Sequence, residues 1–272
     1  MNELITLSSD FGPPYPAAMK GVLLSATDAR LVDVSHEIPR QDVRAAAFWL
    51  REVLPWFPPA VHLVVVDPGV GTDRAALAVR AGDHALVGPD NGVLLPAARR
   101  LAERAEHADG ASDADGGTET PAVEVFEVAY DAPESNTFHG RDVFAPAAAR
   151  VHEVGVGSLE SLDGVEPAEE YEDLAFPDST VEDDGARGEV LVVDGFGNAV
   201  TNVPGAVLNG RYGESVVVDD AATTVVRAYA EADPGTPVVT VGSHGNVELA
   251  VNRGRGDRAF GVEPGDPVRL SW

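Results

Sequence analysis

The sequence predicts an α/β N-terminal domain with a mostly parallel central sheet, followed by a small all-β C-terminal barrel. The first third of the chain alternates short apolar runs with segments of helical periodicity in the order β-α-β-α-β, which favours a parallel sheet with crossover helices. Residues 61–66 are apolar apart from His62 and mostly β-branched, as is typical of a strand buried on both faces. Beyond Pro177, short strand patterns separated by Gly, Pro and Asn turns replace the helical ones.

We therefore expect an α/β domain at residues 1–176 and a β-barrel domain at residues 177–272. Expected strands of the first domain span residues 4–7, 31–34, 61–66, 75–80, 84–87 and 123–129. Expected helices span residues 17–29, 41–53 and 93–105, with a fourth running through Phe144 to Val151. The segment 106–120 is acidic, rich in Gly, Ala and Asp, and without periodicity, so we expect an exposed, flexible insertion that carries no chemistry.

The composition restricts the possible partners of the protein. The 272 residues include 19 Lys and Arg against 45 Asp and Glu, a net charge of −26, while 44% of residues are hydrophobic and can form a core. Such an acidic surface should repel nucleic acids and anionic membranes. Lys20 is the sole lysine. Scarce lysine beside abundant acid favours a halophilic protein, because at about 1 M salt the screening length falls to about 3 Å and self-repulsion is suppressed.

The chain has no cysteine, which excludes disulfides, thiolate catalysis and cysteine-based metal sites. Its N-terminal segment has neither a charged start nor a long apolar core, and no apolar run is long enough to span a bilayer. We therefore expect no signal peptide, no membrane association and a cytoplasmic location.

Polar side chains follow the predicted strands where a ligand site of an α/β sheet is expected. Asp10 follows the first strand, Asp67 and Arg74 lie in the glycine-bearing loop after residues 61–66, and His139 precedes a helix. Taken one at a time, each acid could equally cap its own loop, and a lone histidine is more often structural. In the second domain, the turns at residues 194–198 and 242–246 could be plain hairpins, yet both carry side chains suited to a polar ligand.

Several segments, taken in order, resemble one family, the S-adenosylmethionine hydroxide adenosyltransferases, which are relatives of the nucleophilic fluorinase and chlorinase. The segments are SSDFG (8–12), VSHEIPRQDVRAAAF (34–48), VVVDPGVGTDR (64–74), GPDNGVLLPA (88–97), TFHGRDVFAPAAA (137–149), DGFGNAVTNV (194–203) and GSHGNVELAVN (242–252). The resemblance covers nearly the whole chain apart from the acidic segment.

The resemblance implies that the protein hydrolyses S-adenosyl-L-methionine (SAM) to adenosine and L-methionine by in-line attack of an activated water or hydroxide at ribose C5′. It implies no metal and no cofactor, because SAM is the substrate. It also implies a homotrimer whose active sites lie between subunits, with the N-terminal domain of one facing the C-terminal domain of its neighbour.

The resemblance further implies that Asp67, Arg74 and His139 hold the attacking water. The halogenating relatives carry an aromatic residue in place of the first and Tyr in place of the histidine. Gly140 matches the position at which the fluorinase carries a halide-binding Ser. On these residues the sequence is similar to the branch that uses water.

Other positions match residues that hold the substrate in the family. They are Asp10 at the ribose hydroxyls, Asp194 at the methionine ammonium, Asn198 at the adenine region and Ser243 at the methionine carboxylate. His244 stands where the relatives carry Arg, and Gln41 falls near an aromatic residue that packs on the substrate in the halogenases.

Three other functions compete with this one. A SAM-dependent chlorinase would suit a high-salt cytosol, but Asp67 and His139 count against it. A non-catalytic SAM or adenosine sensor would not need the catalytic trio. A metal hydrolase built on His36, His62 and His139 is disfavoured, because these histidines lie on separate elements with no compact ligand spacing.

Overall fold

The computed structural model describes residues 3–108 and 123–272. The chain divides into two compact units, Met1–Ala175 and Phe176–Trp272. Most of the predicted insertion 106–120 therefore lies outside the described residues. Its first residues, 106–108, are helical and end a helix that was expected to stop at residue 105.

The described part of the first unit forms a seven-stranded sheet flanked by helices. The strands are β1 (Leu4–Ser9), β2 (Arg30–Ser35), β3 (Val61–Val65), β4 (Ala76–Ala81), β5 (His84–Pro89), β6 (Glu124–Val128) and β7 (Val165–Pro167). The helices are α1 (Tyr15–Ala26), α2 (Val43–Val53), α3 (Leu95–Ala108) and α4 (Ala145–Val154). A π-helical turn, Gly140–Phe144, leads into α4.

The sheet has the strand order β2-β1-β3-β5-β4-β6-β7. Strands β2, β1, β3 and β5 pair in parallel, whereas β4, β6 and β7 add antiparallel pairings at one side. The predicted parallel core is thus confirmed. All five residues of β3 are buried, as the uninterrupted apolar run indicated, and β3 lies at the centre of this core.

Local sequence signals explain where α2 begins and ends. Asp42 caps its N-terminus by accepting a 2.8 Å hydrogen bond from the Ala45 amide. Phe48 lies on its buried face and is fully inaccessible. Pro55 stands just past its end, where the chain passes into a short 3₁₀ turn that leads to β3.

The described residues of the second unit form a closed seven-stranded barrel with one extra strand, which confirms the predicted barrel. The strands are β8 (Thr180–Glu182), β9 (Gly185–Val193), β10 (Ala199–Pro204), β11 (Ser215–Val218), β12 (Ala221–Val225), β13 (Pro237–Val241), β14 (Asn246–Val251) and β15 (Pro267–Ser271). The order is β10-β14-β13-β12-β11-β15-β9, and pairing of β9 with β10 closes the ring, while β8 extends β9 from outside it.

Three elements were missed at the sequence level. The stretch 153–187 contains β7, β8 and the start of β9, none of which the sequence patterns indicated. Both β7 and β8 span three residues, too short to show an alternating pattern. No helix was expected in the barrel unit, but a five-residue helix, α5 (Gly256–Phe260), follows β14. None of the helices in the described part of the chain has the length and apolar character needed to cross a bilayer.

Candidate active site

Two acids of the first unit leave the sheet at the same edge. Asp10 directly follows β1, and Asp67 follows β3 by two residues. Strands β1 and β3 are parallel, with Ser9 opposite Val65, so both chains emerge side by side. This is the carboxyl edge of the sheet, where α/β proteins place their ligands.

Asp67 is held by its own loop and by Arg74. Its Oδ1 accepts hydrogen bonds from the Gly69 amide at 3.1 Å and from Arg74 Nη1 at 3.2 Å. The Asp67 side chain is only 5% exposed, whereas that of Arg74 is 30% exposed. A Cβ at Gly69 would lie 2.6 Å from Arg74 Nη2, so any other residue there would force the guanidinium to shift.

Burial raises the pKa of Asp67, because a carboxylate is poorly solvated there. The positive charge of Arg74, the Gly69 amide and the nearby His139 oppose this shift, while the Asp10 carboxylate adds to it. Asp67, Arg74, His139 and Asp10 therefore form one electrostatically coupled cluster. A carboxylate with a raised pKa is a better proton acceptor than a solvated one.

His139 is brought to this cluster by the irregular start of α4. Its side chain is buried and immediately precedes the π-helical turn, a feature often found at functional sites. Its ring lies 6.3 Å from that of Tyr130 and 6.5 Å from that of Phe144. At Gly140, a Cβ would lie 2.9 Å from Met19 Sδ and 3.1 Å from a methyl group of Val65, so a serine there would force its neighbours to move.

Gln41 acts on Asp10 through its backbone. The Gln41 amide donates a 2.6 Å hydrogen bond to Asp10 Oδ2, and the residue adopts a left-handed conformation with φ of 58°. Such a conformation is strained for a residue other than glycine and is often found at functional sites. The adjacent Ser9 hydroxyl bonds His36 Nδ1 at 2.7 Å, and His36 Nε2 bonds Asp33 Oδ1 at 3.0 Å, so the Asp10 loop is tied to the end of β2.

An aromatic cluster of Phe11, Tyr15 and Phe138 was missed at the sequence level. The three rings contact one another edge to face, with centroids 5.4–6.1 Å apart. Phe11 follows Asp10 and Phe138 precedes His139 in sequence, so an apolar wall adjoins the polar cluster. The sequence signal for this cluster is that Phe11 and Phe138 are adjacent to the candidate residues Asp10 and His139.

Arg141 pairs with two acids close to it in sequence, Asp142 and Glu134. Its guanidinium donates to both carboxylate oxygens of Asp142 and lies 3.7 Å from Glu134. The hydrogen bond from Arg141 lowers the pKa of Asp142.

The second unit contains a separate pocket of about 920 Å³. The β9–β10 turn contributes Asp194 and Asn198, and the β13–β14 turn contributes Ser243. Tyr229, in a short 3₁₀ turn, and Glu248, in β14, line it as well, while Arg227, Arg253 and Arg255 add positive charge. The two turns lie at opposite ends of the β10–β14 pair, and residues of both contribute to the lining of this one pocket. The pocket therefore offers acids, amides, hydroxyls and arginines to one ligand.

Asp194 both caps its turn and faces this pocket. Its Oδ1 accepts from the amides of Phe196 at 2.9 Å and Asn198 at 2.8 Å, and its Oδ2 accepts from Asn198 Nδ2 at 2.9 Å. The loop-capping role considered at the sequence level is thus present, and it fixes the carboxylate and the amide as one unit. Phe196, 82% exposed, lies at the mouth of the same pocket.

His244 is bonded to Glu248, which lines the pocket. Its imidazole is buried, and Nε2 lies 3.1 Å from Glu248 Oε1, whereas the pocket lining contains Glu248 but not His244. Glu248 and Tyr229 were both missed. Glu248 had a signal, because it is the one charged residue in the otherwise apolar strand segment 247–251.

Among residues 3–108 and 123–272, no three His, Asp or Glu side chains are grouped so that they could share a metal ion. The candidate residues instead fall into two sets. The cluster Asp10, Asp67, Arg74 and His139 lies in the first unit, and the pocket residues Asp194, Asn198 and Ser243 lie in the second.

Fold and site together define a class: an α/β unit with a buried acid–base cluster at its strand ends, followed by a β-barrel unit with a polar pocket. Comparison with known families identifies the family within this class. Residues 5–162 match the SAM hydroxide adenosyltransferase N-terminal domain, and residues 188–269 match the SAM hydroxide adenosyltransferase C-terminal domain. The chain belongs to the SAM hydroxide adenosyltransferase family, as the sequence motifs predicted.

Individual relatives agree with this assignment. The (R)-S-adenosyl-L-methionine hydrolase of Salinispora tropica is 41% identical over 271 residues, covering 98% of this chain and 97% of the relative. The protein of the same name from Thermus thermophilus is 42% identical over 274 residues, covering 96% and 97%.

Two solved structures are also similar. An uncharacterized conserved protein from Thermotoga maritima has a TM-score of 0.78 and 30% identity, with 98% of this chain and 100% of that chain covered. A conserved hypothetical protein from Thermus thermophilus has a TM-score of 0.71 and 38% identity, with 99% and 100% covered.

Proposed function

We propose that the protein hydrolyses SAM to adenosine and L-methionine. Family membership and the hydrolase names of full-length relatives support this function. The observation that carries the mechanism is the buried Asp67, whose pKa is raised by burial and whose carboxylate is bonded to Arg74. Such a group can take a proton from a water molecule at neutral pH, and no metal or cofactor is needed.

The chemistry favours a dry, ordered site. SAM carries a sulfonium, and its leaving group is a neutral thioether, so attack by a hydroxide-like water reduces charge in the transition state. A water-excluding pocket favours such a step. The new O–C5′ bond forms as the C5′–S bond breaks with its electron pair going to sulfur, and the water proton passes to the protein and then to solvent. Because the nucleophile must lie in line with the breaking bond, positioning is the main task.

The proposed roles follow from the contacts. Asp67 accepts the water proton, Arg74 holds that carboxylate, and His139 completes the coordination of the water or relays the proton. Asp10 binds the ribose hydroxyls, and Gln41 orients Asp10 through its backbone amide rather than packing on the substrate.

We assign the methionine and adenine ends to the barrel pocket. Asp194 binds the ammonium, Asn198 the adenine region and Ser243 the methionine carboxylate. His244 acts indirectly, because its imidazole is bonded to Glu248.

The relatives' names specify the sulfonium configuration, which the sequence motifs left open. We propose that this chain also acts on the (R) epimer at sulfur. Turnover of purified (R) and (S) epimers, followed separately by chromatography of adenosine, tests this: faster (R) turnover is expected, and equal rates would contradict it.

The reaction itself is tested by incubation with SAM in high KCl and oxygen-18 water, followed by mass spectrometry. Adenosine labelled at the 5′ oxygen, and lost in Asp67→Ala, is the expected result. Chlorinated adenosine would instead identify a chlorinase, an alternative that Asp67 and His139 count against. Tight binding with neither product would identify a sensor.

We further propose a cytoplasmic homotrimer with active sites between subunits, as in the family. Because the two sets of site residues lie in different units, co-expression of Asp67→Ala with Asp194→Ala tests this arrangement. Mixed trimers would contain some sites with both halves intact, so at a SAM concentration well below KM they should be more active than either variant alone, and light scattering should give three times the chain mass. Verified mixed trimers that are no more active than the separate variants would contradict shared sites.

The charge of −26 supports the proposal that the protein is adapted to high salt. Thermal unfolding at rising KCl concentrations tests it, with a midpoint that climbs into the molar range expected. A midpoint that is flat above about 0.2 M, where simple screening is largely complete, would oppose it.

A further inference from the structure

Glu248 is a buried acid that neither the motifs nor the assigned substrate contacts explain. It lies in β14 between apolar neighbours, is 4% exposed, and lines the barrel pocket. A carboxylate in such a position is destabilising unless its charge is well compensated. Its retention in a pocket wall therefore points to a role towards a ligand.

The two oxygens of Glu248 hold two different side chains. Tyr229 donates its hydroxyl to Oε2 at 2.5 Å, and His244 Nε2 lies 3.1 Å from Oε1. Burial and the hydrogen bond to Glu248 raise the pKa of Tyr229, so the phenol keeps its proton and remains a donor. Hydrogen bonds to an ionised acceptor are the stronger kind and fix geometry accordingly.

These contacts connect the two turns that form the pocket. Asn198 Nδ2 bonds Asp194 on one side and lies 3.5 Å from the Tyr229 hydroxyl on the other. From Tyr229 the chain of side chains continues through Glu248 to His244, which is next to Ser243. A continuous polar network thus runs from the turn assigned to the ammonium and adenine to the turn assigned to the carboxylate.

The backbone of the second turn is shaped around Glu248. A Cβ at Gly242 would collide with Glu248 Oε1 and would lie 2.6 Å from His244 Cε1. Glycine at this position lets the main chain pack directly on the carboxylate. Gly242→Ala therefore displaces the carboxylate without changing its charge.

We propose that Glu248 is a positioning residue for SAM, holding Tyr229 and His244 so that the two turns of the pocket bind one substrate molecule together. The proposal rests on the proposed function and extends it to residues outside the family motifs' assigned contacts. It separates the tasks of the two units, since Glu248 lies in the binding pocket and not among the groups that activate water.

The test compares Glu248→Gln and Tyr229→Phe with two matched controls in the same unit. Glu248→Gln removes the charge but keeps the shape, and Tyr229→Phe keeps the charge but removes the hydroxyl. The controls are Glu214→Gln, at an exposed acid, and Tyr212→Phe, at a half-buried ring packed against the barrel core. Steady-state KM and kcat for SAM and the thermal midpoint are measured for each.

Each pocket variant is expected to raise KM about tenfold or more, as loss of a buried hydrogen bond to a charged group implies, with kcat within about threefold. Glu248→Gln combined with Tyr229→Phe should cost less than the product of the two single effects, because both break the same contact. The controls should leave both constants unchanged. If Glu248→Gln does not fold, the KM and kcat values of Tyr229→Phe and Gly242→Ala test the proposal instead.

Folded pocket variants with unchanged KM, or with reduced kcat at unchanged KM, would overturn the proposal. Failure of the proposed function gives a different result, namely that the wild-type protein forms no adenosine. In that case calorimetric titration with SAM decides the role of Glu248: weaker binding in the variants supports it, while equal binding, or none by the wild type, overturns it.

Discussion

The two units place their candidate site residues by different physical means. In the α/β unit, Asp10 and Asp67 follow parallel neighbouring strands, so sheet topology alone puts them at one edge. In the barrel unit, Asp194 and Ser243 lie in turns distant in sequence, and they line one pocket because β10 pairs with both β9 and β14. A parallel sheet places the carboxyl ends of its strands along one edge, whereas a barrel brings turns distant in sequence to one pocket only through the pairing of their strands.

The chemistry of the two regions differs in the same way. The first set is a small cluster around one buried carboxylate with a raised pKa. The second is a pocket of about 920 Å³ with donors and acceptors spread along its wall. We therefore expect the α/β unit to control kcat and the barrel unit to control KM.

The largest effect is expected for Asp67→Ala. Loss of the proton acceptor should lower kcat by about 10²–10⁴-fold, the usual contribution of general base catalysis. Asp73→Ala, at an exposed acid of the same loop, is the control and should retain activity. Adenosine formation measured by chromatography checks both, and a loss of less than about threefold would remove Asp67 from the catalytic step.

A second effect should be confined to the stability of the α/β unit. His62 is buried, bonded to Thr6 at 2.7 Å and to His84 at 3.0 Å, and burial lowers its pKa from 6.5 to about 3. Because the pKa of His62 is lower in the folded protein, the unfolded chain takes up a proton on this residue at a higher pH than the folded protein does. The stabilisation present above pH 6.5 is therefore lost as the pH falls toward about 3.

The expected loss is of the order of a few kcal/mol, measured by urea unfolding between pH 7.5 and pH 4. In His62→Leu the part of the pH dependence that comes from this residue should disappear. His244 is the one histidine in residues 176–272, so the barrel unit lacks a corresponding pair. An unchanged pH dependence in a folded His62→Leu protein would argue against the assignment.

The pH profile of turnover should separate the two regions further. Protonated Asp67 cannot accept a proton, so kcat should fall on the acid side by about tenfold per pH unit. Because the pKa of Asp67 is raised from 3.8, the fall should begin above the pH expected for a solvated aspartate. A profile that stays flat down to pH 4 would contradict this role.

The same shift has a consequence of opposite sign for stability. Since the folded pKa of Asp67 is raised, its contribution is present at low pH and is lost as the pH rises through the folded value. Asp67→Asn should therefore be inactive yet at least as stable as the wild type at pH 8. Thermal unfolding checks this, and a marked destabilisation would point to a structural need for the charge.

The smallest effect is expected in the barrel. Asp194→Asn keeps an acceptor for the turn amides but removes the charge that we assign to the ammonium of SAM. KM should rise about tenfold, as for loss of a charged hydrogen-bond partner, while kcat stays nearly constant. If kcat fell as steeply as in Asp67→Ala, the division of tasks between the two units would be wrong.

The sequence predicted the elements of long or strictly patterned segments and missed the short ones. The run 61–66 was recognisable as a central strand because both faces of β3 are buried. Strands β7 and β8, with three residues each, and the five-residue α5 depend on partners far along the chain. Their local patterns are too short to compete with the loop-forming residues around them.

The sequence predicted residues of the candidate site but not the contacts that they make. The motifs predicted Asp67, Arg74 and His139 as site residues. Their electrostatic coupling in one cluster is seen only in the three-dimensional structure. The motifs left the role of Gln41 open, and its backbone amide bonds Asp10. His244, which stands where the relatives carry Arg, is bonded to Glu248. Contacts of this kind depend on loop conformation, which residue type does not specify.

The sequence by itself determined the parallel core, the barrel class, the family and the acids at the strand ends. These follow from periodicity, strand direction and short motifs, all of which are local along the chain. The tertiary structure alone decided the closure of the barrel, the bonding of Tyr229 and His244 to Glu248, and the burial that raises the pKa of Asp67. Desolvation and hydrogen-bond geometry depend on atoms from distant segments, so they exist only once the chain has folded.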